Sequence, residues 1–185
     1  MTPGSQLKTN GTAARSPGPK RGADRTLALR NQQRVRRVDL RLLRRITTAL
    51  LRETWPGGAL DLAIHLVAAP GMTRLNETFL RHKGSTDVIT FDYAEPAGRE
   101  KQASCPALLH GEVFVCLDEA VTQARRFRVT WQSELVRYVV HGVLHLLGYD
   151  DLNPRARRRM KAAENSLMRR LARQFAIPDL GSPGA

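Results

Sequence analysis

Residues His141–Asp151 read HGVLHLLGYDD, and this stretch decides how the rest of the chain must be arranged. His141 and His145 stand four residues apart. On a helix that spacing puts both imidazoles on one face, about 6 Å apart at about 1.5 Å rise per residue, within reach of one metal ion. Gly148 follows three residues after the second histidine, and glycine lets a chain leave a helix through a left-handed conformation and turn back. The reversal brings Tyr149, Asp150 and Asp151 towards the histidines, with Asp151 as the third ligand. The pattern H-x-x-x-H-x-x-G-x-x-D is helix, sharp turn and returning ligand.

The helix around the pair strengthens that reading. Thr130 is placed to cap it, and Leu135, Val136, Val139, Val140, Val143, Leu144 and Leu147 make a broad apolar stripe. Such a helix is buried, with the histidine edge as its polar side. Buried imidazoles without a partner would each cost about 1–3 kcal/mol, so a metal ion is the favoured occupant. Three protein ligands leave a fourth position open, the mark of a catalytic site. Zinc suits two imidazoles and a carboxylate and can lower the pKa of bound water to about 7. Nickel, copper, manganese and ferrous iron are also compatible with these ligand types. The residue after the first histidine is Gly142, where zinc proteases of the HExxH type carry a glutamate as general base. Glycine cannot transfer a proton, which argues against peptide hydrolysis.

A chain of 185 residues suits one domain with a real core. Its formal charge of +13 points to a polyanionic partner, nucleic acid above all. Part of that excess lies in residues 1–24, which are rich in Gly, Pro, Ser and Thr and lack apolar periodicity; they are read as a disordered basic extension. Cys105 and Cys116 are too few and too unpatterned for a disulfide framework and suit a reducing cytosol. No uncharged apolar run reaches the roughly 18 residues needed to span a bilayer, and no apolar signal core opens the chain. A soluble, cytoplasmic protein is expected.

Between the tails the elements alternate. Leu27–Arg30 predicts a first strand, and Arg34, Arg36 and Arg37 make the next stretch strongly basic. Asp39 caps a helix with Leu40, Leu43, Ile46 and Leu50 on its buried face. Leu60–Val67 alternates as a strand, in which His65 is expected to pack or face solvent rather than bind metal. Thr73–Lys83 reads as a short helix capped by Thr73 and closed by Gly84. Thr86–Tyr93 and Gly111–Leu117 are strands separated by a surface loop, Ala94–Ala107. Asp118 opens a helix through Arg126. Asn153-Pro154 starts the last helix, which runs to about Phe175 with a strongly basic outer face. Strands gathered early and helices gathered late predict an α+β fold: one domain, a mixed sheet packed against helices, and the HxxxH helix at its centre.

At this point the sequence resembles the YbeY family of bacterial metal-dependent endoribonucleases, which act in ribosomal RNA maturation. The family hallmark H-G-x-L-H-L-x-G-Y-D-H is matched by His141, Gly142, Leu144, His145, Leu146, Gly148, Tyr149 and Asp150. Leu75-Asn76, Thr86–Phe91 and Gly111-Glu112-Val113 add to the match. The resemblance spans roughly Leu27 to Leu171 and implies a YbeY-like catalytic domain over 25–178, followed by a flexible tail over 179–185. Two positions depart from the family pattern. Its third metal ligand is a histidine, where this chain has Asp151. Its arginine shortly after the Leu-Asn pair corresponds by counting to Leu80, with Arg81 next to it. Arg81 or Lys83 can then take over a phosphate contact, and His82 is a further candidate; all three also read as ordinary helix-end cations.

The expectation is a single-strand-preferring endoribonuclease. It would act in rRNA maturation and ribosome quality control, with phosphodiester cleavage assisted by metal-bound water and His141, His145 and Asp151 holding one divalent ion, zinc first. Ribosomal RNA or a ribosomal subunit is the expected partner, and no membrane is involved. The alternatives are a metal-binding ribosome-assembly factor with little nuclease activity and, less favoured, a metalloprotease.

Overall fold

The computed structural model describes residues 25–93 and 108–182. In chain order come β1 (Arg25–Asn31), α1 (Leu40–Thr54), β2 (Ala59–Val67) and α2 (Ala69–Leu75), which runs into a π-helical turn at Asn76–Leu80. β3 (Val88–Asp92), β4 (Leu108–Cys116), α3 (Leu117–Phe127), α4 (Trp131–Leu146) and α5 (Pro154–Gln174) follow, with a 3-10 turn at Ile177–Gly181. The strands form one sheet in the order β1-β2-β4-β3. β1, β2 and β4 are parallel, and β3 runs antiparallel to β4. This is the mixed sheet and α+β architecture that the element order predicts.

Alternation along the strands divides the apolar residues between two faces. Leu60, Leu62, Ile64 and Leu66 of β2 join Leu109, Val113 and Val115 of β4 in the main core, against Leu43, Ile46 and Leu50 of α1 and the stripe of α4. On the other face Val67, Ile89 and Cys116 close over Met72 of α2 in a smaller cluster. α4 touches β3, β4, α1, α3 and α5, which makes it the centre of the molecule. Three helix starts follow the sequence signals. Asp39 accepts from the Arg41 and Leu42 amides, Thr130 from Ser133, and Asn153 from Arg155 and Ala156. No helix among the described residues is long and apolar enough to cross a membrane.

Two expectations need correction. The helix predicted over Thr73–Lys83 begins instead at Ala69, because Pro70 fits the first turn and the Asp118 carboxylate accepts from the Ala69 amide at 2.6 Å. It ends at Arg81, whose backbone turns left-handed (φ 57°), and Gly84 forms a later bend (φ 87°). At the C-terminus ordered packing continues past the predicted limit of 178. Leu180 is fully buried, and its carbonyl accepts from the Asp39 amide at 2.9 Å. His65 packs as expected, stacked on Phe114 with ring centroids 4.3 Å apart. The predicted extension over 1–24, the loop Ala94–Ala107 with Cys105, and residues 183–185 lie outside the described residues.

Candidate metal centre

The centre is built where α4 stops. The Gly148 amide donates to the His145 carbonyl at 2.9 Å and the Tyr149 amide to the Leu144 carbonyl at 3.0 Å, with Gly148 at φ 83°. That pair of bonds around a left-handed glycine is a Schellman turn, and it folds the chain back over its own last carbonyls. The Tyr149 carbonyl thereby reaches His145 Nδ1 at 3.0 Å. Asp150 then spends its carboxylate on the turn, accepting from the Leu152 amide at 3.1 Å. Asp151 is left facing the histidines. The Arg157 side chain fixes its backbone, donating to the Asp151 carbonyl from Nε at 3.2 Å and Nη2 at 3.1 Å.

Both imidazoles are aimed from behind. His141 Nδ1 lies 3.3 Å from Glu164 Oε2 on α5. Burial pushes the Glu164 carboxyl up, but the bonds it accepts from His141, Arg137 and Lys161 outweigh that and hold it down at about 2. A carboxylate in that state only accepts, so His141 carries its proton on Nδ1. A carbonyl also only accepts, so His145 does the same. With the proton on Nδ1, a neutral ring presents its lone pair on Nε2, and the two Nε2 atoms face each other at 3.1 Å. Burial, followed by the neighbouring His141, lowers the His145 pKa and favours the neutral ring. Two opposed lone pairs repel unless a cation sits against both.

The donor set fits such a cation. Two nitrogens about 2.0–2.1 Å from one tetrahedral ion stand about 3.3 Å apart, close to the observed separation. One ligand atom each from His141, His145 and Asp151 lies within 4.8 Å of the others, and all three residues are half-buried. The group could hold a metal ion, and it comprises the three ligands expected from the sequence.

Arg81, His82 and Lys83 are exposed at the end of the π-helical turn. Among the described residues no hydrogen bond or ion pair joins them to the metal group. The Arg81 amide donates to the Asn76 carbonyl, five residues back, so this turn absorbs one residue more than an α-turn. Arg81 itself is left-handed and leaves the helix there.

Gly142 has a structural cause as well as a chemical consequence. A Cβ there would overlap the Val113 side chain and crowd Val88 Cγ1 at 3.3 Å, so α4 lies against the sheet only because residue 142 has no side chain. A general-base glutamate has no room at this position. Sequence reasoning missed Glu164, Arg157 and the Tyr149 carbonyl. Glu164 carried a signal, since it falls on the inner face of α5 near Met160, Leu167 and Leu171 and is buried there. A charge inside an apolar stripe calls for a partner.

Fold and site together define a class: a mixed-sheet α+β domain with a His-His-Asp group that could hold a cation at the end of its central helix. Residues 28–172 match the family model described as Endoribonuclease YbeY. A protein of Chlorobium luteolum named Endoribonuclease YbeY is 35% identical over 147 residues, covering 80% of this chain and 98% of its own. One of the same name from Chlorobium phaeovibrioides is 34% identical, over 78% of this chain and 89% of its own. Among solved structures, a Thermotoga maritima protein determined in solution aligns with TM-score 0.57 at 22% identity. The alignment covers 86% of this chain and 99% of that one, and it bears on the fold alone. The chain belongs to the YbeY endoribonuclease family.

Proposed function

We propose that this chain is a metal-dependent endoribonuclease that cuts single-stranded segments of ribosomal RNA precursors, in rRNA maturation and ribosome quality control. The observation that carries the reading is the pair of Nε2 atoms facing each other at 3.1 Å beside Asp151, in a chain whose relatives are named endoribonucleases. His141, His145 and Asp151 hold the ion, and zinc suits this donor set best. When bound, the ion supplies Lewis acidity, polarising a phosphoryl oxygen and acidifying water. Glu164 and the Tyr149 carbonyl orient the two imidazoles through their Nδ1 atoms. Arg81 and Lys83 contribute phosphate contacts from the end of the π-turn. Arg34, Arg36 and Arg37 and the exposed arginines of α5 hold the backbone with little sequence choice. The setting is the cytoplasm, with a ribosomal subunit as partner. The packing of Gly142 against Val113 weighs against proteolysis.

The test is incubation of the zinc-loaded protein with precursor ribosomal RNA, beside the His145→Ala and Asp151→Ala variants. Endonucleolytic products are expected from the parent and not from the variants. Cleavage that persists in both contradicts the site. Stoichiometric zinc binding without cleavage contradicts the nuclease reading and favours an assembly factor.

A further inference from the structure

A cavity of about 320 Å³ opens between α3, α4 and α5 and shares His141 with the metal centre. Glu164, Arg137 and Lys161 of its wall support His141, while Asp87, Gln123, Phe127 and Tyr138 have no part in that centre. Gln123 and Phe127, one turn apart on α3, both line it. Phe127 is 61% exposed, a large ring held in solvent at the mouth of a polar pocket. The Gln123 side-chain amide makes no hydrogen bond among the described residues. Tyr138, also in the wall, has a buried hydroxyl without a partner. Asp87 uses Oδ1 on the Val88 amide and the Thr86 hydroxyl. The cations of the pocket are Arg137 and Lys161. Glu134 and Glu164 hold Arg137, while the Lys161 side chain is 60% exposed and bonded to Glu164 alone.

An exposed ring beside unfilled amide and carboxylate acceptors, with an ammonium at the rim, matches what single-stranded RNA offers: a base with two faces and a polar edge. We propose that this cavity is a nucleobase subsite, taking the base next to the phosphate held at the metal. The base stacks on Phe127 and turns its edge to Gln123 and Asp87, and Lys161 faces the phosphate. Because the wall is rich in acceptors, bases that carry an exocyclic amino group (guanine, adenine, cytosine) fit it. Uracil, with two carbonyls flanking one N–H, meets carboxylate oxygens with its own. The inference rests on the endoribonuclease reading and assigns that reaction a base preference.

The experiment is an NMR titration of the full, zinc-loaded chain with GMP, AMP, CMP and UMP, following the Gln123 side-chain amide. The first three are expected to shift it with at least about 5-fold higher affinity than UMP. Phe127→Ala should weaken them about 10-fold with zinc content unchanged. A Gln123 resonance unmoved by all four, or a Phe127→Ala protein that binds like the parent, overturns the subsite. RNA cleavage by the same sample separates the two ideas. Cleavage without nucleotide binding rejects the subsite alone, and nucleotide binding without cleavage rejects only the nuclease reading.

Discussion

Glu164 of α5 reaches His141 of α4 at 3.3 Å while also accepting from Arg137 at 2.5 Å and Lys161 at 3.1 Å. The last helix is thereby tied to α4 through the ring of a candidate metal ligand. Loss of such an outer partner typically costs metal affinity about 10–100-fold. Glu164→Ala should weaken zinc binding by that factor in calorimetric titration. An unchanged affinity would show that His141 is oriented by packing alone.

The same carboxylate makes stability depend on acid. Its folded pKa of about 2 lies below the ordinary 4.5, so the unfolded chain binds its proton more readily. The contribution is fully present above about pH 4.5 and disappears as pH falls through about 2. Its size is about 3 kcal/mol from the shift. Urea unfolding of the metal-free protein between pH 6 and pH 2 should show this loss in the parent and lack it in Glu164→Gln.

Gly142 should tolerate no side chain. Gly142→Ala puts its methyl group into Val113 and is expected to destabilise by about 1–3 kcal/mol, read as a lower Tm. Gly142→Glu, which writes the protease motif into the helix, should misfold and digest no casein. A stable, proteolytic variant would overturn the packing argument.

Gly148 tests the turn without touching a neighbour. No atom lies within 4 Å of where its Cβ would be, so Gly148→Ala meets only the strain of φ 83°. The expected cost is about 1–2 kcal/mol in unfolding experiments. A larger loss would mean that the turn itself rearranges.

Much of this candidate centre is legible in the sequence, because its three residues are local. Helix periodicity places His145 over His141, and a glycine three residues on announces the reversal. Asp39, Thr130 and Asn153 announced their helices by the same local logic. What stayed hidden was carried by distant chain. Ala69 begins α2 because Asp118, 49 positions away, accepts its amide. Glu164 lies 23 positions from the ring it holds. Leu180 looks like frayed tail until α1 is placed beside it. Spacing already favoured Asp151 over Asp150, and the Leu152 amide bonded to the Asp150 carboxylate adds a reason that the sequence does not show.

If one ion, held partly by Asp151, makes this chain a nuclease, cleavage must follow the binding of that ion. Zinc should be titrated into metal-stripped protein while the cleavage rate of a fluorescent single-stranded rRNA fragment is followed. The rate should rise to a plateau at one equivalent of zinc per chain, with no rise in Asp151→Ala. Full cleavage by the stripped protein, or an unchanged curve in Asp151→Ala, would contradict it.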